Sequence, residues 1–308
     1  MKRFVKSLLI YLSPILFGAA VFELLLREIP NDYRLKNGIL ENNANDFEVL
    51  SLGNSTTFYG INPKLTNRKW FNASHVSQTI RCDYEILNKF KGGLKNLKVL
   101  TLNVDYYTLY KSEQEIEFWR LKNYNIYYGM NLSYNPLEYF EIFGNRVQKN
   151  IDRLEYYYSG VYNTLWSDSS GYGYEERRQQ NVETAGLHFA KLHSKNKKNY
   201  PFFDQNVEYL QRIINISKEL DATIILYNSP AYSSYYNNLD ANQIAKLKRV
   251  VNKLSIDNGN CIYINMFNDT SFVADDFRDG VHLNQKGAKK LTSNIEKIVA
   301  DIYANQEP

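Results

Sequence analysis

The chain has 308 residues, with 37 basic and 33 acidic side chains and a net charge of +4. So small an excess excludes an electrostatic case for nucleic acid as the main partner. Hydrophobic residues at 44% and charged residues at 23% describe a globular chain, long enough for one large α/β domain or two small ones. Two cysteines, Cys82 and Cys261, exclude a disulfide scaffold and a cysteine-rich zinc site, although they could pair in an oxidising compartment. Four histidines (His75, His188, His193 and His282) leave little material for a multi-histidine metal centre. No metal and no organic cofactor is expected.

Lys2, Arg3 and Lys6 precede an apolar run from Leu8 to Leu26. At about 1.5 Å per residue the run reaches roughly 28 Å, close to the thickness of a bilayer core. Glu23 interrupts it near its far end, where a carboxylate can reach the interface. Basic residues ahead of the run place the N-terminus in the cytoplasm and everything after it outside, periplasmic or extracellular. Residues 1–27 are therefore read as a membrane anchor, 28–45 as a polar juxtamembrane linker and 46–308 as the globular part. A cleaved signal peptide ending near Gly18–Ala20 is the alternative. An ordinary buried helix is the plainer one.

Four short apolar runs read as strands: Phe47 to Gly53, Leu97 to Asn103, Ala222 to Asn228 and Cys261 to Phe267. The last three are nearly continuous, as expected of parallel strands buried on both faces. Helical periodicity fills the gaps over Asp204 to Leu220, Ala241 to Ile256 and Gly287 to Tyr303. Strand–helix alternation predicts a doubly wound parallel α/β sheet. Between Tyr106 and Tyr174 lie 14 of the 26 tyrosines, with Trp119 and Trp166. This reads as an ordered insertion, spanning about 106–200. Packing accounts for most of its rings, and a few are expected to contact a sugar ligand or shield the site.

Open α/β sheets bind ligands beyond the carboxyl ends of their strands. After the first strand comes Gly53-Asn54-Ser55, and at the end of the second Asn103-Val104-Asp105. Before the last helix comes Asp279-Gly280-Val281-His282, followed by LNQKGAKKL. A serine hydroxyl becomes a nucleophile when a histidine takes its proton, and the histidine needs an acceptor on its other nitrogen. Ser55, His282 and Asp279 have those chemistries. Ser55 could otherwise be only a helix N-cap, and His282 only a structural histidine. His75 is expected to pack or touch substrate. His188 and His193 are expected on a solvated surface with Lys191, Lys195, Lys197 and Lys198.

The Gly-Asn-Ser block after the first strand and the Asp-x-x-His block before the terminal helix resemble the SGNH (GDSL-like) hydrolase superfamily. The resemblance covers about 46–105 and 200–303 and implies an SGNH/flavodoxin-like fold with Ser55, His282 and Asp279 as catalytic residues. It also implies an oxyanion hole from backbone N–H groups of Ser55 and Ser77, with the Asn103 side chain. Ser77 stands where the family carries glycine. Asn54 and Asp105 are further site candidates, and a carboxylate at Asp105 would repel an oxyanion. The layout resembles membrane-anchored envelope proteins that acylate or deacylate glycans. A serine acyltransferase or esterase acting on an envelope polysaccharide is therefore expected, with a membrane acyl-donor partner. A non-catalytic carbohydrate-binding or assembly protein on the same fold is the alternative.

Overall fold

The computed structural model describes residues 2–111, 115–160, 164–174, 179–194 and 202–305. Its strands are β1 (Val49–Leu52), β2 (Trp70–Asn72), β3 (Val99–Asn103), β4 (Thr223–Asn228) and β5 (Cys261–Asn265). They form one parallel sheet in the order β2-β1-β3-β4-β5. The predicted parallel α/β architecture is the observed one. The strand order reverses between β1 and β3, the position at which open α/β sheets place their ligand sites.

β2 escapes the sequence reading because it is three residues long and has no repeating pattern. β5 departs differently. It is an edge strand, and Ile262 is 36% exposed rather than buried on both faces. In the interior strands even polar residues are buried and paired. Ser51 and Thr101 are register neighbours and share a hydrogen bond of 2.7 Å, and Trp70 Nε1 donates to Ser51 Oγ at 2.8 Å.

The helices, in chain order, begin with α1 (Lys2–Glu28), α2 (Asp32–Asn43), α3 (Ser55–Gly60), α4 (Ile80–Phe90), α5 (Phe118–Tyr127) and α6 (Val147–Tyr158). They continue with α7 (Val182–Ser194), α8 (Phe203–Glu219), α9 (Ser233–Tyr236), α10 (Ala241–Asp257) and α11 (Gln285–Ala304). Residues 28–45, expected as a linker, instead contain α2. Tyr33, Lys36, Asn37 and Leu40 on it are buried, an i, i+3, i+4, i+7 stripe that polar neighbours mask in the sequence.

Contacts divide the chain into two units. One comprises Met1–Asn37 and Ile116–Trp166, so the middle of the Tyr-rich stretch belongs with the N-terminal helix. The other comprises Gly38–Glu115 and Ser167–Pro308 and contains the whole sheet.

In the first unit, the segment Leu9–Glu28 of α1 is long and apolar enough to cross a bilayer, with a mean hydropathy of 2.1. Leu9, Ile10, Ile15, Leu16, Phe17 and Leu24 are exposed along it. Glu23 is anchored. Its oxygens accept the backbone N–H groups of Glu141 and Ile142 at 3.0 and 2.9 Å and pair with Arg27 at 2.6 Å.

In the second unit, α11 lays Leu291, Ile295, Val299 and Ile302 against a core that includes Val49, Val99, Ile225 and Tyr227 of the sheet. Asn284 caps α11 by accepting from the N–H groups of Lys286 and Gly287. Since α11 leaves the loop that carries His282, its packing fixes that loop. Leu291→Ala should lower unfolding stability by about 2–5 kcal/mol through the cavity it leaves. Urea unfolding of the detergent-solubilised protein, with an unchanged m-value, checks this.

Candidate active site

The turn after β1 places Ser55. Gly53 adopts φ 131°, and a Cβ there would stand 2.5 Å from Thr57 Oγ1, so only glycine fits. Asn54 is the N-cap, accepting from Thr56 N at 3.0 Å. Ser55 is thus the first residue of α3 rather than its cap, and its N–H has no intrahelical acceptor.

The loop before α11 places the other two residues. Asp279 Oδ1 accepts the backbone N–H groups of Val281 and His282 at 2.9 and 2.8 Å, folding Asp279–His282 into a tight turn. That turn brings His282 Nδ1 within 2.9 Å of Asp279 Oδ2. The other ring nitrogen, Nε2, lies 2.9 Å from Ser55 Oγ. Burial would raise the Asp279 carboxyl, but the His282 charge and three hydrogen bonds, one from the His282 side chain and two from backbone N–H groups, outweigh it and hold the group well below the usual carboxylate range. Asp279 is therefore an anion facing the imidazole. Gly280 lets the loop meet α7, since a Cβ there would stand 2.2 Å from the Gly186 Cα.

Several candidates form a buried network behind Ser55. Asn103 Nδ2 donates to Ser229 Oγ at 2.7 Å, and its oxygen accepts from Asn54 Nδ2 at 3.0 Å. These bonds set Asn103 into the rim behind Ser55 and use one of its two amide N–H groups. Asp105 accepts from Thr56 Oγ1 at 2.7 Å and from Ser229 N at 2.8 Å. Burial raises its carboxyl to about 6 against those hydrogen bonds. Ser77 stands in the turn after β2 with φ 64°, the left-handed conformation that glycine adopts freely. Its carbonyl accepts from Lys111 Nζ at 3.3 Å.

Two contributors were not visible in the sequence. Asp83, on α4, accepts from Gly53 N at 2.8 Å and from Gln78 Nε2 at 2.6 Å. It ties the turn that carries Ser55 to the turn that carries Ser77. Burial raises its carboxyl to about 7, with those two hydrogen bonds opposing. Tyr107 hydrogen-bonds Ser55 through its side chain, and burial first, then the Asp105 charge, push the phenol up and keep it protonated. An acidic residue three places into a helix, and one tyrosine among 26, carry no sequence signal of such roles.

Aromatic rings surround the histidine. The rings of Tyr59 and Phe189 meet the His282 imidazole edge-on at 5.9 and 5.8 Å between centroids. His193, expected on the surface, instead packs 4.4 Å from Tyr107 and bonds Tyr235 Oη at 2.7 Å through Nδ1. His188 is exposed and His75 is buried. Lys195, Lys197 and Lys198 lie outside the described residues. Cys82 and Cys261 are separate buried thiols, not a disulfide. A groove of about 340 Å³ adjoins the histidine loop, lined by Tyr59, Tyr172, Tyr174, Arg278 and Lys286 among others.

No family model and no curated protein matches the chain. Two solved structures are similar over most of their length. One, from Streptococcus pneumonia, is provisionally described as a platelet activating factor; it is 11% identical, with a TM-score of 0.43 over 97% of this chain and 99% of that one. The other, from Bacteroides fragilis, is provisionally described as an acylhydrolase; it is 11% identical, with a TM-score of 0.40 over 91% of this chain and 94% of that one. At that level the likeness carries no argument about chemistry, which rests on the geometry above.

The Asp83 assignment has a pH signature. Between the unfolded carboxyl value near 3.9 and the folded value of about 7, the folded protein holds a proton on Asp83 that the unfolded chain has lost. Stability therefore falls as pH rises through that window and levels off above it. Asp105 acts in the same direction over a narrower window. Asp83→Asn keeps the Oδ1 acceptor and should flatten the fall in Tm between about pH 4 and about pH 7. An equally steep fall in the variant would refute the assignment.

Proposed function

We propose that this protein is a serine-dependent O-acyl esterase or acyltransferase of the SGNH type. In this reading it is held in the cytoplasmic membrane by α1 and acts outside it on an envelope glycan or polysaccharide. The observation that carries the reading is the unbroken chain Ser55 Oγ–His282–Asp279, with both links at 2.9 Å. The residues follow the strand and loop ends where an open α/β sheet exposes its site.

The chemistry follows from those positions. His282 Nε2 takes the Ser55 proton as Oγ attacks the acyl carbon, and Asp279 stabilises the imidazolium that forms. In this reading the backbone N–H groups of Ser55 and Ser77, with the side chain of Asn103, hold the developing oxyanion. His282 then returns the proton to the leaving alkoxide. Water or a sugar hydroxyl resolves the acyl-enzyme by the same route in reverse.

Tyrosines along the groove beside the histidine loop favour a glycan as the acyl donor or acceptor, since aromatic faces stack on the apolar C–H patches of sugar rings. The charges of Arg3 and Lys6 ahead of the apolar segment favour an outward-facing sheet unit. An anchor keeps that unit near a membrane acyl-donor partner.

Ser55→Ala and His282→Ala should each reduce turnover of a soluble acetyl ester by ~10⁴-fold or more, with the double variant hardly worse. Circular dichroism should be unchanged, and Asp279→Asn should be damaging but less so. Wild-type turnover in Ser55→Ala would remove the nucleophile assignment. Adding an oligosaccharide acceptor should divert acyl groups from water to sugar, read as the ratio of acyl-glycan to free acid. Free acid alone with every glycan tried would make the protein a plain esterase.

A further inference from the structure

The first unit has a cavity of its own, about 370 Å³ in volume. Its wall begins at Ile29, one residue past the apolar segment that ends at Glu28. Arg120, Lys122, Lys149 and Arg153 line it, with two carboxylates among the described residues of the wall, Asp32 and Glu141. Both carboxylates are already engaged. Glu141 is buried and pairs with Lys122 at 2.6 Å and Arg153 at 3.1 Å, and it accepts from Tyr127 Oη at 2.9 Å. Asp32 accepts the Trp166 backbone N–H at 3.1 Å.

Positive charge is therefore left over. Lys149 makes no ion pair among the described residues. Arg120 pairs with Glu117, which is half-exposed and not part of the wall, and its guanidinium lies 4.0 Å from the Trp119 ring centroid. The Glu117 carboxylate in that pair is half in water, which screens its hold on Arg120. Trp119 and Trp166 add flat amphipathic surface to the same wall.

We propose that this cavity binds a phosphate-bearing ligand, with Arg120 and Lys149 on the phosphate and the two indoles flanking the group attached to it. Arginine and lysine donors satisfy phosphate oxygens through charge-assisted hydrogen bonds. The volume accommodates a phosphate with a polyol or sugar attached. If α1 spans the membrane, as proposed above, the cavity opens where the chain leaves the bilayer, and the phosphate is that of an anionic lipid headgroup. The phosphate recognition itself does not depend on that reading. Neither does it use the serine chemistry.

The test uses the full chain in a non-ionic detergent and reads tryptophan fluorescence. Trp119 and Trp166 report on the cavity, while Trp70 is buried in the sheet. The probes are glycerol 3-phosphate, dihexanoyl phosphatidylglycerol and, as a neutral control, maltose. A saturable change with both phosphate compounds and none with maltose is expected. Tighter binding of phosphatidylglycerol identifies the lipid source, and equal binding identifies a soluble phosphate. Arg120→Gln with Lys149→Gln should weaken binding roughly tenfold or more, and Lys149→Arg should restore most of it beside wild-type Arg120. The same variants should hydrolyse a soluble acetyl ester at the wild-type rate, and Ser55→Ala should bind phosphate normally. Failure of ester turnover with intact phosphate binding would sink the enzyme reading and leave the cavity. Fractionation of a soluble mature form that still binds glycerol 3-phosphate would sink the membrane reading alone. No saturable change with either phosphate compound, or wild-type affinity in the double variant, would overturn the proposal.

Discussion

A single contact of 2.9 Å joins Ser55 and His282, which are 227 positions apart in the chain. A hydrogen bond at that separation needs both ends held to within a few tenths of an ångström. Neither residue achieves this locally. The glycine turn after β1 aims Ser55, and the Asp279 turn aims His282. The relative position of the two depends on α11 packing its apolar stripe against the same sheet that ends in Ser55. The core is therefore not separate from the candidate chemistry. It sets the distance over which the proton would move.

The rim around that contact is unusually polar for its burial. Asp83, Asp105, Asn54, Asn103, Thr56 and Ser229 are all buried, and each is hydrogen-bonded to another segment of the rim. Burying a carboxylate is costly, and the raised carboxyls of Asp83 and Asp105 record that cost. The return is rigidity. A satisfied buried network has few alternative arrangements, so the turns it links cannot drift apart. Ser77 in a left-handed conformation is held the same way, since an isolated serine would leave it for about 1 kcal/mol.

The first unit applies the same rule to charge. Glu141 is buried between Lys122 and Arg153, and the paired cations hold its carboxyl low although burial alone would raise it. Lys122 is lowered by burial, with Glu141 opposing. Removing one partner from such a cluster strands the others, so its members are structural rather than replaceable. The Glu23 carboxylate on the backbone of 141–142 ties this cluster to α1 at the end of its apolar segment.

Much of the fold was legible in the sequence because its signals are local. β1, β3 and β4 are apolar runs, since interior parallel strands have no solvent face. β5 was also found as a run, but its edge position and half-exposed face come from sheet order. α8, α10 and α11 show the 3.6-residue stripe because one side of each is wet. Ser55 and the Asp279–His282 pair were legible because turns that present side chains have compact local patterns. β2 was not, because three residues contain no period. α2 was read as a linker because polar neighbours mask its buried face. Asp83, Tyr107 and His193 have no local pattern at all; their partners are supplied by other elements. Asn103 has the chemistry of an oxyanion donor, and its bonds to Ser229 and Asn54 come from other elements. The sequence by itself determined which groups are present and on which strand ends they sit. Only the tertiary structure decided which hydrogen bonds those groups make, because each polar atom is claimed by whatever buried partner packing brings within reach.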